Sequence, residues 1–261
     1  CLVPICSLDG VAVITIEGIG SESKGYHQLQ EDLASCDGSQ CGYCSPGMVM
    51  NMYSLLSAGD SANSQAPDIP TVEGRLQGNI CRCTGYRSIY SAFRKSVHRI
   101  PAATATATAE APVPSISPSV LGQTAADSPD KSLWFNPVSL ADVWPLLDKY
   151  GTNRIQLTVG GTSAGIVKYY SGFGSEATQP QVYINLRRVP EINGISSGDS
   201  SGVTFGASVS LSTMITTLAA LSTEHANLQP LVRHLHLVAH WQVRDQASWA
   251  GNVMVCKKYP A

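Results

Sequence analysis

Four cysteines stand in two tight pairs. Two residues separate Cys41 from Cys44 in "SQCGYCSPGMVM", and one separates Cys81 from Cys83 in "GNICRCTGYR". Thiolate sulfur is a soft ligand, and four of them select zinc or iron–sulfur chemistry. A C-x-x-C turn lets both sulfurs converge, with Pro46 and Gly47 keeping it open to a following helix. The C-x-C pair needs extended backbone, and Thr84-Gly85 beside it supplies a hydroxyl, N–H groups and freedom to bond sulfur, which tunes a cluster. Two such pairs brought together can each hold one iron of a two-iron cluster. Structural zinc is the alternative, although zinc pairs favour C-x₂₋₄-C with roughly 12–20 residues between them. The eight cysteines could also form disulfides. That framework belongs to small secreted chains without a core, and paired spacing suits a metal better.

The pairs need elements to carry them. Residues 11–19, "VAVITIEGI", read as a β-branched strand. "HQLQEDLASC" carries Leu29 and Leu33 four apart and reads as a short helix. Ser45-Pro46 reads as a helix cap and first turn, followed by Met48, Met52, Leu55 and Leu56 on one packing face. Thr71 to Leu76 opens a further helix, and "SIYSAFRKSV" closes the set with Ile89, Ala92 and Phe93 inward. Residues 19–100 are thus expected to form a small four-helix domain. Residues 101–131, rich in Ala, Thr, Pro and Ser, read as a linker.

From residue 132 the pattern changes to strands alternating with helices, which predicts an α+β domain. Ser139 caps a helix, "RIQLTVGGTSAG" is a strand running into a glycine turn, and "QVYINL" and "GVTFGASV" are further strands. "QPLVRHLHLVAHWQ" reads as one helix with Leu231, Leu235 and Val238 on one side. His236 and His240 stand four apart there, without an "HExxH" motif, and read as ordinary helix-face residues. Glycines let backbone approach a phosphate, and N–H groups at a helix start attract its charge. Most such turns, however, only join a strand to a helix.

The 261 residues allow about two domains, and 43% hydrophobic content can fill a core. A net charge of −2, with no basic run, argues against nucleic acid and an anionic membrane surface. No apolar run reaches the roughly 18 residues of a membrane span. The chain opens on Cys1 without a leader pattern, which reads as sequence from inside a longer protein.

The two cysteine motifs together resemble the helical 2Fe-2S domain of the molybdenum hydroxylases, the xanthine dehydrogenase and aldehyde oxidase family. "CLVPICSLDGVAVITIEGIG" resembles the end of that family's plant-type ferredoxin domain, and Leu133 to Ala261 resembles the front of its FAD domain. The resemblance implies a multidomain chain. Residues 1–18 would be the tail of a β-grasp ferredoxin-like domain, residues 19–100 the all-α four-helix 2Fe-2S domain, residues 101–131 the linker, and residues 132–261 an incomplete α+β FAD-binding (PCMH-type) domain.

By the resemblance, Cys41, Cys44, Cys81 and Cys83 ligate the helical-domain cluster. Cys1 matches one ligand of a second 2Fe-2S cluster, whose other ligands are upstream in the family. Cys6, Cys36 and Cys256 match no ligand position. Gln40 and Cys83 would lie against molybdopterin. Leu157, Val159, Gly160, Gly161, Thr162, Ser163, Ala164 and Gly165 would line FAD, together with Gly251 and Asn252 of "ASWAGN". The family usually has two glycines before that asparagine, and here Ala250 replaces the first and bulky Trp249 precedes it. The implied activity is hydroxylation of an aldehyde or N-heterocycle, with a lean toward aldehyde oxidase. Electrons would pass from the molybdenum centre through the clusters to FAD, then to oxygen or NAD. The resemblance further implies a cytoplasmic homodimer, and a chain without the molybdenum domain that does not oxidise substrate unaided.

Overall fold

The structure is a computed structural model that describes residues 3–8, 11–57, 67–99, 123–124, 132–165, 182–198 and 202–258. It divides into two compact units. One is Val11–Pro114, and the other joins Cys1–Gly10 to Ser115–Ala261. The stretch expected as a ferredoxin-domain tail is therefore shared between the two units.

The first unit is helical. A one-turn helix α1 (Ile16–Ile19) precedes α2 (Gln28–Ser35), α3 (Ser45–Ser57), α4 (Ile69–Arg75) and α5 (Arg87–Arg99). Their apolar stripes meet in one core, where Leu29, Met48, Met52, Ile89, Ala92 and Phe93 are fully buried. Helix α2 opens on a reciprocal capping box. His27 Nδ1 accepts from Leu29 N–H while the Gln30 side chain accepts from His27 N–H. Asp68 caps α4 by accepting from Thr71 N–H, three residues ahead of the start read at Thr71. The expected strand over residues 11–19 does not form. Among the described residues Val11 to Thr15 have no strand partner, and the chain coils into α1.

A buried carboxylate locks α2 to α5. Asp32 is 1% exposed and accepts from Ser96 Oγ (2.8 Å), Gln28 Nε2 (3.1 Å), Lys95 Nζ (2.9 Å) and Arg99 Nη1 (3.3 Å). Burial pushes its pKa up, but hydrogen bonds from Lys95 and Ser96 and the Lys95 charge outweigh that and hold it below the usual range.

The second unit holds a four-stranded sheet in the order β1-β2-β4-β3, from β1 (Gln123–Thr124), β2 (Leu133–Phe135), β3 (Ile155–Thr158) and β4 (Val182–Asn185). Strands β2, β4 and β3 run parallel, and β1 pairs antiparallel with β2. Strand β1 comes from the expected linker, whose other residues lie outside the described set apart from these two. Ser139 caps α6 (Leu140–Tyr150), as read, by accepting from Asp142 N–H. Leu146 and its neighbours then cover Phe135, Val182 and Ile184 on one sheet face. A hairpin follows, from β5 (Ile195–Gly198) and β6 (Gly202–Phe205). Four helices come next: α7 (Leu211–Leu221), α8 (Gln229–His236), α9 (Trp241–Gln246) and α10 (Trp249–Lys258).

The helix read through "QPLVRHLHLVAHWQ" is broken. Helix α8 ends at His236, Ala239 takes φ 52°, and α9 starts at Trp241. The cause is a tertiary contact. Buried Arg244 turns its Nη1 back to donate to the carbonyls of His236, Val238 and Ala239 at 3.0–3.1 Å. His236 and His240 therefore share no helix face, and His240 Nδ1 pairs with Gln242 at 2.7 Å. The inward residue of α8 is Val232, while Leu231 is 41% exposed.

Asp32→Asn is expected to remove about 2 kcal/mol from the helical unit, the scale of a hydrogen bond to a charged group. Because folding lowers this carboxyl's pKa, its contribution is complete above the unfolded value of about 4 and is lost as pH falls through the folded one. Denaturant melts across that acid range should therefore show a shallower pH slope for the variant than for the parent.

Candidate cluster site and glycine loops

The two cysteine motifs converge within the helical unit. Gly38, residues 40–44 and residues 80–84 line one cavity of about 130 Å³, with Cys41, Cys44, Cys81, Cys83 and Gln40 all on its wall. Local backbone makes this possible. Gly42 and Gly85 take φ of 81° and 61°, which glycine adopts without strain. The carbonyl of Cys44 accepts from Met48 N–H, so Cys44 flanks α3 in the position expected of Ser45, whose hydroxyl pairs with Ser39 at 2.8 Å. A Cβ on Gly47 would lie 2.9 Å from Asn79 Oδ1, so glycine at the start of α3 admits the loop that leads to Cys81.

The sulfurs pair across the loops rather than within them. All four cysteines are free, and the thiols of Cys83 and Cys44 act as hydrogen-bond donors toward Cys41 and Cys81 respectively. The outer pair, Cys41 and Cys83, is exposed, while Cys81 is buried and Cys44 half-buried. Among the described residues, no three His, Cys, Asp or Glu side chains gather as they would around a single ion. Four soft donors around one cavity fit an iron–sulfur cluster, which Cys41, Cys44, Cys81 and Cys83 would hold.

Protons distribute alternately over the four thiols. Donation from the Thr84 hydroxyl, ahead of nearby N–H groups and the Cys44 thiol, lowers Cys81 to about 7. Cys44 is pushed up to about 11 by burial and by its bond to Cys81. A helix N-terminus ordinarily lowers a thiol's pKa. For Cys44 the desolvation wins. Cys41 is lowered by the Tyr43 backbone N–H and the Cys83 thiol, and Cys83 is raised in return.

Thr84 can donate to sulfur, as its position suggested, because it is itself oriented. Its Oγ1 lies 3.1 Å from Cys81 Sγ and accepts from Tyr86 N–H at 3.1 Å. Tyr86 is a site residue that the sequence reading left without a role. Its hydroxyl accepts from Cys81 N–H (2.9 Å) and donates to Asn79 O (3.3 Å), and it keeps φ 68° at the C-x-C corner. The available signal was an aromatic hydroxyl directly after the flexible Thr84-Gly85 pair.

In the second unit, "TVGGTSAG" leaves the C-terminal end of parallel β3, where α/β sheets bind ligands. A Cβ on Gly160 would collide with the Gln246 carbonyl oxygen, and the one on Gly161 would meet Pro4. Gly165, by contrast, has no close neighbour among the described residues. Leu157 is 44% exposed, and Val159, Thr162 and Ser163 are half-buried. The second loop is tied beside the first. Leu211 N–H donates to Ala247 O, Trp249 N–H donates to Val209 O, and the Trp249 indole N–H reaches Gly206 O at 2.8 Å. Trp249 thus anchors this loop. Gly251 N–H donates to Ser248 Oγ, and Asn252 lies in the first turn of α10. Gln246 Oε1 is buried without a hydrogen-bond partner among the described residues, an acceptor beside the loop left for a ligand. These features fit a dinucleotide at the loops. Cys1 lies outside the described residues.

Residues 15–94 match the 2Fe-2S binding domain, and residues 126–260, more than half of the chain, match the FAD binding domain in molybdopterin dehydrogenase. The chain belongs to the molybdopterin dehydrogenase family and carries its iron–sulfur and flavin portions. It is 33% identical to aldehyde oxidase 4 of Rattus norvegicus over 97% of this chain and 21% of that protein. It is 29% identical to xanthine dehydrogenase of Drosophila pseudoobscura pseudoobscura over the same shares, and 54% identical to xanthine dehydrogenase/oxidase of Felis catus over 36% of this chain and 7% of that one. The chain thus spans about one fifth of the length of the relatives it matches end to end. Among solved structures, a carbon monoxide dehydrogenase from Hydrogenophaga pseudoflava aligns over 46% of this chain and 38% of its own, with 26% identity and a TM-score of 0.38.

Thr84→Val removes the hydroxyl donated to Cys81. The low-pH step in thiolate ultraviolet absorbance of the metal-free chain, near pH 7, should then move up toward the ordinary thiol range while the Cys44 step stays high.

Proposed function

We propose that this chain is the electron-relay portion of a molybdenum hydroxylase that oxidises an aldehyde or an N-heterocycle. The observation that carries the reading is the meeting of four thiols from two separate loops around one cavity, in a chain whose other unit bears the paired glycine loops. When bound, a 2Fe-2S cluster supplies one-electron and FAD one- or two-electron chemistry, which together bridge a two-electron oxidation and one-electron transfer. Cys41, Cys44, Cys81 and Cys83 hold the cluster, Thr84 donates to the inner sulfur, and Tyr86 fixes the backbone N–H of Cys81. Gln40 and the exposed Cys83 face molybdopterin, which the remainder of the full-length enzyme binds. Leu157 and Val159 to Gly165, with Gly251 and Asn252, hold FAD.

The finer assignments follow the same reading. Residues 19–100 are the helical cluster domain, residues 1–18 the end of a β-grasp ferredoxin-like domain with a second cluster, and residues 132–261 the front of the FAD domain. An aldehyde is the preferred substrate class in this reading, with an N-heterocycle as the alternative. Oxygen or NAD is the terminal acceptor, and the working form is a homodimer. A reducing cytoplasm suits unpaired thiols of this kind. Among the described residues, no helix is long and apolar enough to cross a membrane.

Anaerobically purified chain should carry iron and acid-labile sulfide in equal amounts, about two of each for one four-cysteine 2Fe-2S cluster. Cys81→Ser should abolish the reduced-cluster paramagnetic signal and leave the helical circular dichroism in place. A colourless protein loaded with zinc and free of sulfide would replace the relay with a zinc-stabilised module.

A further inference from the structure

The glycine pair that opens the flavin loop is occupied by the protein itself. Gly160 carries the Gln246 carbonyl on its bare face, and Gly161 carries Pro4, whose Cγ and Cδ would stand 2.8 and 3.1 Å from a Cβ there. Gly161 also holds φ 63°, in the left-handed region that favours glycine. Pro4 reaches it from the other end of the sequence. The Pro4 carbonyl accepts from both Ser7 N–H (2.9 Å) and Ser7 Oγ (2.6 Å), and Ser7 is only 8% exposed. Residues Ile5–Leu8 form a single 3₁₀ turn behind it, and the segment belongs to the same compact unit as the glycine loop.

These contacts matter because two adjacent glycines are the most mobile backbone a ligand loop can have. Glycine visits both signs of φ and loses the most entropy when fixed. A loop free to wander loses that entropy on binding, whereas a loop already held in its bound form does not. Gln246 holds Gly160 from one side. The Pro4 ring, with its own φ fixed and its turn closed by Ser7, is a stiff stop on the other.

We propose that Pro4 is a positioning residue for the flavin: its ring, backed by the Ser7 turn, holds Gly161 and the glycine loop in the conformation that receives FAD. The segment that follows Cys1 is then part of the flavin site's framework as well as of the iron–sulfur sequence. The inference rests on the flavin reading above.

The test uses the full chain, with FAD titrated by fluorescence quenching and amide hydrogen exchange followed over residues 158–165 before FAD is added. Pro4→Gly should raise the FAD dissociation constant about tenfold, the size of a coupling between contacting residues, and speed exchange in that loop. Pro4→Val, which restores apolar bulk, should recover most of the affinity. Gly161→Ala sets a methyl against Pro4 and should weaken FAD binding more in the parent than in the Pro4→Gly background. That non-additivity reads the contact even if one variant loses overall stability. Unchanged or tighter FAD binding by Pro4→Gly, unchanged loop exchange, or strictly additive losses would overturn the proposal while leaving the flavin reading intact. A parent chain that takes up no FAD would overturn both.

Discussion

Charge crowding governs the cluster cavity. Two negative charges about 4 Å apart repel by roughly 4 kcal/mol at the effective dielectric of a protein surface. Four thiolates around one cavity would disfavour the fold that assembles them. The metal-free chain resolves this by alternation, with Cys41 and Cys81 lowered and Cys83 and Cys44 raised, so each low-pKa sulfur accepts from a high-pKa neighbour. A thiophilic metal that enters takes the thiolate forms, so its uptake releases protons and is linked to pH. The sulfurs do not hold the loops together on their own. The buried stripes of α2, α3 and α5, the Asp32 clamp and the Tyr86 hydroxyl supply that work from outside the cavity.

Small residues serve opposite purposes in the two units. At the cluster, Gly42 and Gly85 are free of close neighbours and are there for backbone direction. At the glycine loops of the second unit, Gly160 and Gly161 are closely packed, whereas no described residue crowds Gly165. A phosphate bound as proposed would then meet the later residues of the loop, Thr162 to Gly165, where the chain turns helical at Ala164. Trp249 bears on the same point. Its indole is tied to Gly206 O, so the bulk that departs from the family pattern is used to pin the second loop against the β6–α7 connection.

Much of this was legible in the sequence where a local rule decides the outcome. Leu29 and Leu33, or Ile89, Ala92 and Phe93, fall inward because helical period fixes their face. Ser139 caps α6 because its side chain needs only a backbone N–H three residues on. The convergence of two cysteine motifs followed from ligand chemistry, but the partner of each sulfur did not, since Cys41 meets Cys83 through loop geometry that spacing does not encode. Other readings failed where a distant residue decides. "VAVITIEGI" has strand composition, yet a strand needs a partner, and none of the described residues pairs with it. The helix read across Leu237 to His240 is ended by Arg244, whose guanidinium satisfies three carbonyls that a continuous helix would have used itself.

The burial of the sulfurs gives the cluster site a direction. Cys81 is 7% exposed and sits on the core side with Cys44, next to the Thr84 and Tyr86 network. Cys41 and Cys83 face outward, beside Tyr43 at 95% exposure and Ile80 at 82%. The Thr84 hydroxyl and low solvent access act on the inner pair, and water reaches the outer one. The two halves of a cluster held here would then differ in environment, since hydrogen bonding to sulfur and exposure are the protein's levers on cluster potential. Charge would be least shielded from a neighbouring redox group at the outer half, where Gln40 and Cys83 share the cavity wall. The same asymmetry explains why the C-x-C loop needs its clamp. One residue, Arg82, separates the buried Cys81 from the exposed Cys83, so the backbone between them has to be held extended, and the Tyr86 hydroxyl bonded to Cys81 N–H fixes one end of that step.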